Sequence, residues 1–171
     1  MEAIQPILAK RFEEIEKRIL SVLDQLNDDH VNWRPNESSN SIANIIMHLR
    51  GNIGERVTKG IHHKDFARNR DQEFETVYAS QSELRDIIRQ SFQELIETAR
   101  NISEEGLQRT QTVRNAEITN LDLLVQMAAH SSEHMGQILY IAKICLDDKY
   151  ITTTIPKKRD KQAIDIYNEG R

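Results

Sequence analysis

Apolar residues at Ile4, Leu8, Phe12, Ile15, Ile19, Val22 and Leu26 recur in alternating steps of four and three, the stripe of a helix that buries one face in a bundle. The spacing predicts a first helix over residues 2–27, giving way at Asn27-Asp28-Asp29. His30 to Asn40 reads as a loop, because Arg34 precedes Pro35 and is pushed out of the α region. The helical period resumes at Ile42, Ile45, Ile46, Leu49, Ile53 and Val57, behind a cap at Ser39, Asn40 or Ser41. It carries a second helix through to Lys59, with Gly51 and Gly54 tolerated on the way.

From Gly60 to Ala79 the period is lost in a charged run whose only sizeable apolar anchors are Phe66, Phe74, Val77 and Tyr78. A connection of that length in a compact domain is usually functional when ordered. The expectation is an ordered loop that covers the bundle mouth or a dimer contact. Ser80 with Glu83 forms a capping box, and Leu84, Ile87, Ile88, Ser91, Leu95 and Ile102 make a third helix that stops before Gly106. Residues 103–118 form another connection. Thr119 with Asp122 opens a fourth helix, whose face is Leu121, Leu124, Val125, Ala128, Met135, Ile138, Leu139, Ala142 and Cys145. The fold expected is therefore all-α: a four-helix bundle over residues 1–147 with long second-to-third and third-to-fourth connections. A polar tail, 148–171, packs on the bundle or trails from it, with Ile164, Ile166 and Tyr167 as its docking residues.

Composition narrows the function classes. A chain of 171 residues is long enough for one full core. Six glycines and three prolines supply too few turns for an all-β sandwich or barrel. The formal charge is −4 and the pI about 5.9, so the basic footprint of a nucleic-acid binder is missing. The longest uncharged stretch, Ser38 to Leu49, has 12 residues and is rich in Ser and Asn, far short of a membrane span. Cys145 is the single cysteine, which excludes an intrachain disulfide. The N-terminus, with Glu2 and Lys10, lacks the order of a signal peptide, and a reducing cytoplasm is expected.

His130 and His134 stand four residues apart on the fourth helix, so both imidazoles leave one flank of its apolar stripe and can chelate one ion. His48 lies at the margin of the second helix's core face, from which a third imidazole converges if the two helices are neighbours. Three neutral nitrogens leave a fourth position open, as a catalytic metal requires. The alternative is a set of solvated or core-edge histidines. His130-Ser131-Ser132-Glu133-His134 also matches the H-x-x-E-H string of inverted zinc proteases, with Glu133 as base, but only 37 residues follow His134. His62 and His63 read as surface residues, and His30 as a cap on the C-terminal dipole of the first helix. Trp33 is expected to plug the end of the core. Asn44 and Asn52, one turn either side of His48, either orient a ligand or form a solvated edge. Arg68 and Arg70 are expected to pair locally with Asp65, Asp71 and Glu73. Cys145, on the apolar stripe, reads as a buried inert thiol.

The order of a helix, Trp33-Arg34-Pro35, the segment SIANIIMHLRGN and then AAHSSEHMGQILY in the last helix resembles the DinB-like, or YfiT-like, superfamily of bacterial metal-binding four-helix bundles. The resemblance spans residues 1–147, and RNRDQEF from Arg68 to Phe74 is similar to an uncharacterised Bacillus-type subfamily. It implies that His48, His130 and His134 hold a divalent metal ion, zinc or nickel first, with iron or manganese as alternatives, since three imidazoles accept each of these and availability decides. Characterised relatives include transferases that use a low-molecular-weight thiol such as bacillithiol or mycothiol, and a thiol-dependent isomerase. The resemblance therefore implies a metal-dependent enzyme that activates a small thiol, and a homodimer. A non-catalytic binding or sensing module, and a metal-dependent hydrolase using Glu133, are the other readings.

Overall fold

A computed structural model describes residues 3–75 and 78–155. The element order is α1 (Ile4–Leu23), α2 (Asp28–Asn32), α3 (Ile42–Ile53), a π-helical segment (Gly54–Lys59), a 3-10 turn (Asp71–Glu73), α4 (Gln81–Asn101), α5 (Glu104–Gln108), β1 (Thr110–Val113), β2 (Ala116–Thr119), α6 (Asn120–Leu146) and a 3-10 turn (Asp147–Lys149). The chain is a helical bundle: α1 and α3 each pack along both α4 and α6. Phe12, Ile19, Leu49, Ile53, Leu84, Phe92 and Leu95 fill the space between them, all but sealed from solvent. All but Phe92 are periodic positions read from the sequence, which put Ser91 on that face instead, and burying side chains of this size contributes about 1.5–3 kcal/mol each.

The caps explain where the helices begin. Ser41 accepts the backbone N–H of Asn44 while the Asn44 side chain accepts that of Ser41. Ser80 and Glu83 form the same reciprocal pair at α4, and Thr119 accepts from Asp122 at α6. Each satisfies donors that the first helical turn leaves unpaired.

Four expectations are corrected. The first helix ends at Leu23 rather than residue 27, because Asn27 caps a new helix, α2, inside the segment read as a loop. His30 is the third residue of α2 and caps its start: its ring Nδ1 accepts from the Asn27 N–H, so it does not face the end of α1. Trp33 does not plug the core. It follows α2 on extended backbone and is 39% exposed, while Val31 takes the buried position. Between α5 and α6 the connection holds a β-hairpin, with Thr110 opposite Thr119 and Val113 opposite Ala116, turned at Arg114 with φ 58°. Its β-branched residues favour strands, but four-residue strands are too short to show a period.

The start of the tail is docked. Gln25 clamps Ile151 through two hydrogen bonds of 2.8 and 3.0 Å, and Tyr150 packs on the core beneath Lys143. Ile164, Ile166 and Tyr167 lie outside the described residues, as does Val77 of the long loop. No helix among the described residues is long and apolar enough to cross a membrane.

Candidate metal centre

The antiparallel neighbours α3 and α6 bring His48, His130 and His134 together, with one ligand-capable nitrogen from each within 4.8 Å of the other two. The ring centroids stand 5.2, 5.0 and 4.4 Å apart, all edge-on. His48 Nε2 and His130 Nε2 are separated by 3.1 Å. Two imidazoles sharing one tetrahedral ion at roughly 2.0–2.1 Å place their nitrogens about 3.3 Å apart, so this pair is spaced for a common ion.

The outer nitrogens are tied down. His48 Nδ1 lies 2.9 Å from Glu73 Oε2, and Arg68 grips the same carboxylate from Nε at 2.6 Å and Nη2 at 2.8 Å. Burial pushes the Glu73 carboxyl upward, but the hydrogen bonds from Arg68 and His48 together hold it below the usual carboxylate range. An ionised carboxylate only accepts, so His48 donates from Nδ1 and keeps the Nε2 lone pair for the site. His134 Nδ1 is 2.8 Å from Gln137 Oε1 and presents Nε2 in the same way. Burial, then its neighbours His134 and His48, push His130 down to about 4, while burial is also the main cause that lowers His48. Both rings are neutral near pH 7, as metal ligands must be.

The long loop supplies the Glu73 arm. Asn44 is fully buried, and its Nδ2 donates to the carbonyls of Glu73 at 2.9 Å and Glu75 at 2.8 Å, while its Oδ1 accepts from Arg34 at 2.8 Å. Of its two readings, the solvated edge does not hold: Asn44 is a buried bracket for the loop whose Glu73 holds His48. Gly51 makes room, since a Cβ there would fall 2.0 Å from Glu73 Oε1, and a Cβ on Gly54 would fall 2.2 Å from the Phe66 ring. Phe66 is therefore the anchor expected, and Phe74 lies 5.3 Å from the His48 ring, half open to solvent.

The remaining positions sort as follows. Arg68 pairs locally with Glu73, but its second partner is Glu55 on the π-helical segment at 2.6 Å. Arg70 stacks over Phe74 and forms no ion pair among the described residues. Asn52 is half-buried with no side-chain hydrogen bond among the described residues, and Glu133 is exposed outside the histidine group. His62 and His63 are exposed, with His62 Nε2 bonded to Thr98 Oγ1 at 2.7 Å. Cys145 is half-buried rather than buried, and burial raises its thiol, which disfavours the nucleophilic thiolate. Sequence reasoning missed Glu73 as a partner of His48. The loop offers Asp65, Asp71, Glu73 and Glu75 with no period to choose among them, and the glycine at position 51 is the one signal that something approaches α3 closely.

Comparison with known proteins bears on the fold. A conserved Enterococcus faecalis protein of known structure superposes with a TM-score of 0.70 at 15% identity, covering 84% of this chain and 98% of its own. A DinB-like protein from Bacillus cereus gives 0.64 at 13% identity, over 81% and 90% of the two chains. A DinB-like protein from Bacillus subtilis gives 0.58 at 16% identity, over 88% and 96%. No curated protein matches the chain. Residues 4–159 match the family described as "Protein of unknown function (DUF1572)", and the chain belongs to that family, with the helical fold of the DinB-like proteins.

Proposed function

We propose that His48, His130 and His134 hold one divalent metal ion, zinc or nickel first, and that the protein is an enzyme that uses it to activate a small thiol for transfer. The observation that carries this is the convergence of three imidazoles, with the outer nitrogens of His48 and His134 engaged by Glu73 and Gln137. Among the described residues no fourth His, Cys, Asp or Glu joins them, which favours a site with an open position over a closed structural one. When bound, such an ion lowers the pKa of a thiol or water beside it.

The chain's own residues supply the rest. Arg68 keeps Glu73 ionised, Glu73 holds the proton on His48 Nδ1, and Phe74 covers one side of the His48 ring. Thiol transfer is the finer part of the proposal and comes from the DinB-like resemblance. Hydrolysis through Glu133 is less favoured, because that carboxylate is exposed and stands apart from the three histidines.

Metal analysis of protein purified without an affinity tag tests the site, with about one ion per chain expected. Protein that retains no divalent ion overturns it. A thiol-conjugation assay with a panel of electrophiles tests the reaction: turnover that needs both metal and thiol supports transfer. A retained metal without turnover leaves the binding-module reading. Turnover without thiol that collapses in Glu133→Gln establishes the hydrolase instead.

A further inference from the structure

A second cleft runs along the seam between α1 and α6, away from the histidines. With successive residues turned by roughly 100°, Ser132 stands about 160° round α6 from both His130 and His134, and none of the three histidines lines this cleft. Lys17 and Arg18 of α1 line it together with Ser132 of α6 and Thr153 of the docked tail, over the buried apolar side chains of Ile15 and Met135. The clamp between Gln25 and Ile151 fixes the tail two residues before Thr153. The cleft measures about 500 Å³, a size that takes a small organic molecule rather than a bare ion.

Charge in the cleft is one-sided. Arg11 and Glu14, also on its wall, are spent on each other at 2.8 Å. Lys17 and Arg18 form no ion pair among the described residues, so two positive charges stand together in a chain whose formal charge is −4. Arg18 carries the sharper signal. Its Nε–H is sealed from solvent without a hydrogen-bond acceptor, and among the described residues no other buried side-chain nitrogen or oxygen is left so. Buried donors nearly always have a partner, and an exception marks a place where a bound group belongs. A guanidinium beside an ammonium and two hydroxyls is a donor set for an oxyanion. One carboxylate neutralises only one of the two cations, whereas a phosphate monoester carries about −1.5 to −2 at pH 7 and matches both.

We infer that this cleft is a second binding site, for a small organic phosphate whose dianionic head meets Arg18 and Lys17 and whose organic part lies on Ile15 and Met135. It does not rest on the metal centre, and its test is run on ¹⁵N-labelled full-length protein treated with a chelator, so that no ion at the histidines can take the phosphate. The Arg18 Nε–Hε resonance, identified by its loss in Arg18→Gln, should shift saturably with phenyl phosphate and stay still with phenol. Benzoate, with the same ring and a single charge, should bind about ten-fold more weakly. By calorimetry, Arg18→Gln should weaken phenyl phosphate about ten-fold or more, Arg18→Lys less, and substitution of the exposed Lys17, as Lys17→Gln, a few-fold.

An Arg18 resonance unmoved by phenyl phosphate, or full affinity in both Arg18→Gln and Lys17→Gln, overturns the site. Equal affinity for benzoate overturns the phosphate class. The chain's own carboxylates are the other source of the same chemistry: Asp160, Asp165 and Glu169 follow Thr153 in the sequence, outside the described residues. In ligand-free protein the triple variant Asp160→Asn, Asp165→Asn, Glu169→Gln should leave the Arg18 resonance where it is. A resonance displaced by that variant means that the cleft takes the chain's own tail, which overturns the external phosphate.

Discussion

The two walls of the histidine site are built differently. On α3, His48 is buried and backed by a carboxylate, which is gripped by a guanidinium and seated by Asn44 through two loop carbonyls. On α6, His130 and His134 are half-buried, and the one outer partner among the described residues, Gln137, comes from the next turn of the same exposed helix face. The α3 wall is thus held by long-range tertiary contacts, and the α6 wall by helix geometry alone. A ligand held by a buried charged network keeps its tautomer and direction, whereas one held by a neutral exposed amide has freedom to adjust. The difference places precision on the His48 side and accommodation of an incoming ligand on the His130–His134 side.

The largest expected effect takes one of the two ligands out of the α6 wall. His134→Ala should abolish metal retention, measured by metal analysis after dialysis, yet leave a cooperative helical unfolding transition, since the core of Phe12, Leu49, Leu84 and Phe92 contains no ligand. An unfolded variant would make the metal structural, and a variant that keeps its ion would show the ligand set to be wrong.

Next comes the contrast itself. Glu73→Gln should weaken metal affinity about 10–100-fold, the usual cost of losing such an outer partner. Gln137→Ala should cost only a few-fold, because water can replace an exposed amide. Competition with a chromophoric chelator reads both, and equal losses would erase the asymmetry drawn between the walls.

The smallest effect is on the metal-free fold. His130 is pushed from 6.5 to about 4, and His48 is also lowered. An imidazole with a depressed folded pKa leaves stability whole above the unfolded value; acid then favours the unfolded chain, which takes up the proton first. The denaturation midpoint of the metal-free protein should therefore be flat above pH 6.5 and fall toward pH 4. Glu73, held low, acts in the same direction below 4.5 as its carboxylate is protonated. In His130→Ala the slope between 6.5 and 4 should flatten, and an unchanged slope would place the titration elsewhere.

How much was legible follows from the length scale of each feature. Helices α1, α4 and α6 run 20 residues or more, so their apolar stripes repeat enough times to be read, and the capping pairs at Ser80 and Thr119 mark their starts within a few residues. Helix α2 and the strands of the hairpin span five and four residues, no more than two repeats of their own period, and neither stood out. His130 and His134 declared themselves because four residues is one helical turn. His48 needed either the tertiary neighbourhood of α3 and α6 or a family resemblance to join them.

The sequence by itself determined a helical bundle, the positions of its long helices and a pair of imidazoles on one face, because all of these are consequences of local geometry repeated along the backbone. Tertiary structure alone decided that Glu73, 25 residues from His48, is its partner, that Asn44 is a buried bracket, and that Gly51 must lack a side chain. Those facts depend on where a loop without periodicity returns to the bundle. That return is set by hydrogen bonds and close contacts between segments whose spacing along the chain carries no trace of their spacing in space.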